Sequence, residues 1–235
     1  MNRKFYVLFS LISGLVLVMI VAFLLQSTTA MASPVPQQEQ VIPNGLAYLR
    51  TQQQADGGIL GFSDTSDPDT TARSVLAFVL AGQPVSGVVS TAGNSVMDYL
   101  ASQAISFTHD TTGTLFPGRA GLLLSALSLA GDNPADFGGM DLAGEIEGSF
   151  QPDTGAYSTT AQQGYSSGQA SDLNQAWVIL GLGLAGESVP EEAVQYLIQS
   201  QAQDGSWGFS DPDARPAGTE KTLPASLRWI QKEAE

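Results

Sequence analysis

Ser74–Gly82 reads SVLAFVLAG, Leu123–Gly131 reads LLSALSLAG, and Trp177–Gly186 reads WVILGLGLAG. Each run is apolar on nearly all sides and ends in Leu-Ala-Gly, at Leu80, Leu129 and Leu184, with spacings of 49 and 55 residues. Apolar residues on every face mark a helix buried all round. The spacing therefore predicts three interior helices, with the three leucines in matching interior slots. Gly82, Gly131 and Gly186 suit the left-handed position that follows a helix. Gly181 and Gly183 would admit a neighbouring backbone, although each weakens a helix by about 1 kcal/mol relative to alanine.

A second element precedes these runs. Leu46–Phe62 (LAYLRTQQQADGGILGF) and Val194–Phe209 (VQYLIQSQAQDGSWGF) share a Tyr-Leu pair, a glutamine-rich end, Asp-Gly and Gly-Phe. Met97–Gln103 (MDYLASQ) repeats the Tyr-Leu start, and Leu142–Phe150 (LAGEIEGSF) is a degenerate version. The unit is an amphipathic helix with tyrosine on its apolar face, an Asp-Gly turn, and a buried helix. It recurs roughly every 50 residues, about four times, a period diagnostic of repeat architecture. The last copy closes with Leu223–Lys232 (LPASLRWIQK). Strand-like alternation is scarce, so the expected fold is all-α. Asp69 or Thr70 is expected to cap the first buried helix, and Asp172 the third.

The 235-residue chain carries nine basic and 23 acidic residues, and Arg3 and Lys4 stand alone ahead of the first acid, Glu39. Beyond the leader the balance is seven basic to 23 acidic, a net −16. Such a surface repels phosphate backbones and anionic lipid, which excludes nucleic acid and confines membrane contact to the N-terminal segment. Cysteine is absent and His109 is the single histidine, which removes disulfides, thiolate chemistry and multi-histidine zinc. Arg3-Lys4, the uncharged stretch Phe5–Leu25 and Ala30-Met31-Ala32 form the three parts of a secretory signal cleaved after Ala32. Twenty-one uncharged residues also suffice for an uncleaved anchor. Either way, residues beyond 32 are expected outside the cytoplasm. The expected organisation is a leader over 1–32, a linker over 33–40 and one repeat domain over 41–235.

Gln53-Gln54-Ala55-Asp56-Gly57 and Gln201-Ala202-Gln203-Asp204-Gly205-Ser206-Trp207 resemble the Q-x-x-D-G-x-W repeat of squalene–hopene cyclases. The helix-pair layout is similar to the α/α toroid shared by terpenoid cyclases, protein prenyltransferases and transcobalamin-type proteins. Ile59 stands where the tryptophan would be in the first unit, and units two and three show only the helices. The resemblance implies an α/α toroid-like partial barrel of about four hairpins, with inner and outer helix layers. In that family the glutamine amide links to backbone near the following helix and the indole packs across repeats. Those structural roles carry over to Gln53, Asp56, Gln201, Asp204 and Trp207. Toroid enzymes use five to seven pairs, so the resemblance implies an unclosed ring or one completed by another chain, as in an oligomer. A cyclase-type D-x-D-D acid and the cysteine ligand of prenyltransferase zinc are both missing, and no cofactor is implied.

Asp64, Asp67 and Asp69, like Asp211 and Asp213, read as turn and cap residues ahead of a Ca²⁺ reading. His109-Asp110 reads as surface loop, and Glu145 and Glu147 sit on opposite sides of a helix. The loops joining paired helices bring Phe62, Phe116, Tyr157, Tyr165, Trp207 and Phe209 towards one rim. Asp69, Arg119, Asp172, Asn174, Gln175 and Glu220 accompany them there. Aromatic faces with a few convergent polar groups are the make-up of a ligand pocket. The ligand-binding candidates are Asp69, Arg119, Tyr157, Tyr165, Asp172, Asn174, Gln175 and Trp207. The expected function is an exported, non-catalytic module that binds a small apolar or aromatic ligand, or a protein partner, at that rim. The rivals are a reduced terpene-cyclase-type lyase or isomerase, with Asp69 or Asp172 as its acid, and a structural envelope protein.

Overall fold

The structure, a computed structural model, describes residues 38–159, 171–202 and 205–207. The chain separates into two units, residues 1–44 and 45–235. The described residues are mostly helical: α1 (Gln38–Thr51), α2 (Pro68–Leu80), α3 (Val96–Thr108), α4 (Pro117–Ala130), α5 (Leu142–Glu147), α6 (Asp172–Ala185) and α7 (Glu191–Gln199). A hairpin of β1 (Phe150–Gln151) and β2 (Ala156–Tyr157) is the departure from an all-α reading. It forms because the flanks of one interhelical turn exchange backbone hydrogen bonds. Helix α1 begins inside the stretch read as a linker, and the leader lies outside the described residues. None of the described helices is long and apolar enough to cross a membrane.

The three apolar runs form a row. Helix α2 packs on α4 and α4 on α6, while α3 rests on α2 and α4, α5 on α4 and α6, and α7 on α6. Helix α4 is central, and every residue from Pro117 to Leu127 except Arg119 is buried. The α4–α6 contact is backbone to backbone. A Cβ placed on Gly121 would lie 2.5 Å from the Trp177 carbonyl carbon and 2.6 Å from the Val178 nitrogen. One on Gly181 would lie 2.6 Å from Gly121 O. Gly118 faces Asn174, Gly121 faces Trp177–Val178, and Leu124 faces Gly181, so α4 and α6 run parallel. The close approach foreseen at Gly181 is present. Gly183, by contrast, has nothing within 4 Å of its Cβ position.

Several expectations are corrected. The leucines of Leu-Ala-Gly are not interior: Leu80 is 75% exposed, Leu184 is 37% exposed and Leu129 is half-buried. They occupy the last turn of each helix, where packing thins and only Leu129 still rests against the core, and the buried slots lie one to two turns earlier. Gly82, Gly131 and Gly186 do take left-handed φ values of 72°, 81° and 80°. The caps fall one position or more ahead of expectation. Asp67 accepts from Thr70 N at 2.8 Å, with Pro68 opening α2, and Ser171 accepts from Asn174 N at 3.2 Å. Tyr99 and Tyr196 are buried as the amphipathic pattern requires, but Tyr48 is exposed.

Candidate functional site

Four turns share one sequence pattern. The segments Gln53–Ile59 (QQADGGI), His109–Leu115 (HDTTGTL), Gln151–Tyr157 (QPDTGAY) and Gln201–Trp207 (QAQDGSW) each carry glycine at the fifth position and a large apolar residue at the seventh. Gly57, Gly113, Gly155 and Gly205 have φ of 95°, 82°, 72° and 85°, a left-handed conformation that favours glycine. In the first, second and fourth turns the glycine N–H donates to the carbonyl three residues back (Gln54, Asp110, Ala202), and that residue's N–H donates to the residue after the glycine. The third turn closes one residue wider, with Gly155 N donating to Gln151 O. Two of these four turns escape a search for Q-x-x-D-G, because His109 replaces glutamine and threonine replaces aspartate. The fifth-position glycine followed by an apolar seventh residue is the signal that finds all four.

Each of the first three turns abuts the start of the next amphipathic helix. A Cβ on Gly57 would collide with the Ser95 carbonyl at the cap of α3, and Asn94 Nδ2 donates to Ala55 O at 2.7 Å. Gln53 Nε2 donates to Gly57 O at 3.0 Å and to Val88 O at 3.2 Å. In the second turn, His109 Nε2 lies 2.9 Å from Glu145 Oε2 on α5, close enough for an ion pair but not aligned as a hydrogen bond. His109 is thus mostly buried between units, not part of a surface loop. In the third turn, a Cβ on Gly155 would collide with Glu192 O in the first turn of α7.

The predicted site residues divide between this frame and solvent. Gln175 is buried and fully engaged: its Oε1 accepts from Tyr157 N at 3.0 Å, and its Nε2 donates to Gly155 O and Ala193 O, both at 2.9 Å. It bolts the third turn to α6 and α7 and offers no free atom to a ligand. Thr71 holds the equivalent position on α2, with its Oγ1 accepting from Ile59 N at 2.9 Å. Tyr157 is buried beside Phe150, and burial together with Glu147 pushes its hydroxyl up to about 12, so it stays neutral at physiological pH. Trp207 stays half-exposed, its Nε1 donating to Leu197 O at 2.9 Å within its own unit. Asp172 is buried in the first turn of α6, and Asn174 packs on Gly118. Tyr165, Asp204, Phe209, Asp211, Asp213, Glu220 and the expected closing segment 223–232 lie outside the described residues.

Asp69 is tied to Arg73 at 2.5 Å, and the Arg73 guanidinium stands 5.1 Å above the Trp177 ring, a contact between α2 and α6. Arg119 is exposed, stacked 4.9 Å from the Phe116 ring and 5.8 Å from that of Phe107. A separate open groove of about 680 Å³ lies away from these residues, where Val79, Gln83, Val85, Met97, Leu129 and Asp132 line the C-terminal ends of α2 and α4. Among the described residues, no three acidic or histidine side chains converge as a metal site.

Asp110 holds the second turn in shape. Its Oδ1 accepts from Thr112 N, Thr112 Oγ1 and Thr114 N at 2.8, 2.6 and 2.9 Å, and these bonds hold its carboxyl below the ordinary aspartate value. A depressed carboxyl stabilises the fold above its unfolded value and ceases to do so as pH falls through the folded one. Asp110→Ala should therefore melt below the parent at neutral pH, and thermal scans should show the gap closing as the solution is acidified past the carboxylate range.

No family model, curated protein or solved structure matches the chain.

Proposed function

We propose that the chain is an exported, non-catalytic module of the terpenoid-cyclase and prenyltransferase type, part of an α/α toroid. It holds a small ligand or a protein partner at the rim where α2, α4 and α6 begin. The toroid reading is supported by the parallel contact of α4 with α6 and by turns that each meet the following helix. The binding reading is carried by Arg119. Of the three arginines among the described residues, Arg50 reaches Gln83 and Arg73 reaches Asp69, whereas Arg119 has a single long bond, 3.4 Å to Phe107 O. A guanidinium laid on aromatic planes is already oriented, so little freedom is lost when it engages a carboxylate or another anion. The flanking rings supply the apolar wall, worth about 0.5–1 kcal/mol through the cation–π contact alone.

The cyclase alternative asks for a carboxylic acid in a dry pocket. Of its two candidate acids, Asp69 is paired with Arg73 in solvent, which is the opposite setting, and Asp172 is buried in the first turn of α6. A thermal-shift panel of small aromatic carboxylates and their neutral analogues tests the binding reading. The carboxylates should raise the melting temperature of the parent protein and lose at least tenfold in apparent affinity with Arg119→Ala. Charged and neutral members acting alike on both proteins would end the reading.

A further inference from the structure

The C-terminal ends of α2 and α4 flank an open groove of about 680 Å³, within the size range of small-molecule sites. Its walls are apolar: Val85 is buried, and Val79, Met97 and Leu129 rest part-buried against the core. Its electrostatics are one-sided. A helix C-terminus carries about half a negative charge, which a basic residue in the last turn offsets. Neither α2 nor α4 has such a residue. Among the described residues no hydrogen bond reaches Leu129 O or Ala130 O, and Gly131 has nothing within 4 Å of its Cβ position. Asp132 N donates to Leu127 O at 3.1 Å, which seats a full negative charge directly beyond α4. The Asp132 carboxylate is exposed and pairs with nothing among the described residues, and no lysine or arginine lines the groove. Arg50 reaches the lining residue Gln83, but its guanidinium is engaged with Gln83 Oε1 at 3.2 Å, Gly87 O at 3.1 Å and the Phe78 ring at 4.9 Å.

We propose that this groove binds a small organic cation, a protonated amine carried on an aliphatic body. The ammonium donates to the Asp132 carboxylate and to the carbonyl end of α4, and the aliphatic part lies along Val79, Met97 and Leu129. Ser86, whose hydroxyl is likewise unpaired among the described residues, adds a further acceptor on the lining. The chain as a whole favours the same sign, since a protein of net charge −14 draws cations to its surface and repels anions. A bare divalent metal fits poorly. Calcium takes about six to eight oxygen ligands, whereas Asp132 is the one carboxylate on the lining and no metal-type cluster occurs among the described residues. An apolar wall beside a single carboxylate suits an amine. The groove lies at the opposite end of α4 from Arg119 and prefers the opposite charge, so the two sites stand or fall separately.

Titration of the isotopically labelled full chain with hexylammonium chloride tests the proposal, with ammonium chloride and neutral hexanol as comparison probes. Hexylammonium should give saturable amide shifts at Gly82, Val85, Ala130 and Asp132, and it should bind about fivefold more tightly than hexanol, the worth of one exposed charge pair. Asp132→Asn removes the charge at an exposed, unpaired position, so the rest of its spectrum should match the parent's. Its affinity for hexylammonium should fall by about the same fivefold, while hexanol should bind both proteins alike. Ammonium chloride should leave the groove amides unmoved, because it has no aliphatic part to seat. Shifts that ammonium chloride reproduces, that spread over the acidic surface without saturating, or that persist unchanged in Asp132→Asn would overturn the proposal. Equal binding of hexanol and hexylammonium to the parent would do the same.

Discussion

Gln175→Leu is expected to cost about 4 kcal/mol, the largest single effect in the molecule. The side chain is buried and completes hydrogen bonds with three backbone groups, Tyr157 N, Gly155 O and Ala193 O. Leucine fills nearly the same volume but strands all three, and each unsatisfied buried group costs about 1–3 kcal/mol. The three are neighbours, so their costs do not simply add. For a domain of this size the loss corresponds to a melting temperature lower by about 8–16 °C. Gln175→Glu keeps the acceptor for Tyr157 N but sets a carboxylate oxygen against two carbonyls, and it should be no milder. Gln199→Ala, at an exposed position on α7, should stay within about 0.5 kcal/mol of the parent. Urea unfolding of the three variants side by side checks the ordering, and an unchanged midpoint for Gln175→Leu would remove the bolt from the account.

The second large effect is expected at Gly121. A single methyl there meets the Trp177 carbonyl carbon and oxygen and the Val178 nitrogen at 2.5–2.6 Å, all backbone atoms that cannot rotate aside. Helices α4 and α6 must separate to accept it, and overpacking of this kind costs about 1–3 kcal/mol. Gly121→Ala should fall at the upper end of that range and Gly121→Val beyond it. Gly118→Ala meets the Asn174 side chain, which can turn away, and one backbone atom, Asn174 Cα at 2.9 Å, so it should be milder than Gly121→Ala but still destabilising. Gly45→Ala, in α1 with nothing within 4 Å, should instead gain about 0.5–1 kcal/mol by removing unfolded-state freedom. The sign change between Gly121 and Gly45 separates close helix contact from general helix propensity.

The helices were legible in the sequence because burial on several sides leaves a continuous apolar run, and the glycines after Leu-Ala-Gly mark where each run stops. Depth was not legible. Leu80 and Leu184 look the most interior, yet they extend past the packed turns into solvent, whereas the small residues Ala72 and Ser125 are fully buried and Gly121 holds the contact with α6. A hydrophobic pattern reports which residues avoid water on average, and it is blind to two backbones touching through glycine. The four turns were half legible. Gln53 and Gln201 announce themselves, but His109 and Gln151 share only the glycine and the apolar seventh position. The candidate site fared unevenly for a related reason. Gln175 and Tyr157 are polar residues near the rim whose bonding capacity goes to the frame, a division that depends on three-dimensional partners. Arg119 remained available because its aromatic neighbours, Phe107 and Phe116, hold it without neutralising it.

The central claim is that the apolar helices α4 and α6 lie side by side, in parallel, in backbone contact. Nuclear Overhauser spectra of isotopically labelled protein test it most directly. The account predicts cross-peaks between Gly118 and Asn174, between the Gly121 α-protons and the Val178 amide, and between Leu124 and Gly181, rising in step along both helices. Cross-peaks in the reverse order, pairing Gly118 with the end of α6, or none from the Gly121 α-protons to α6, would contradict it.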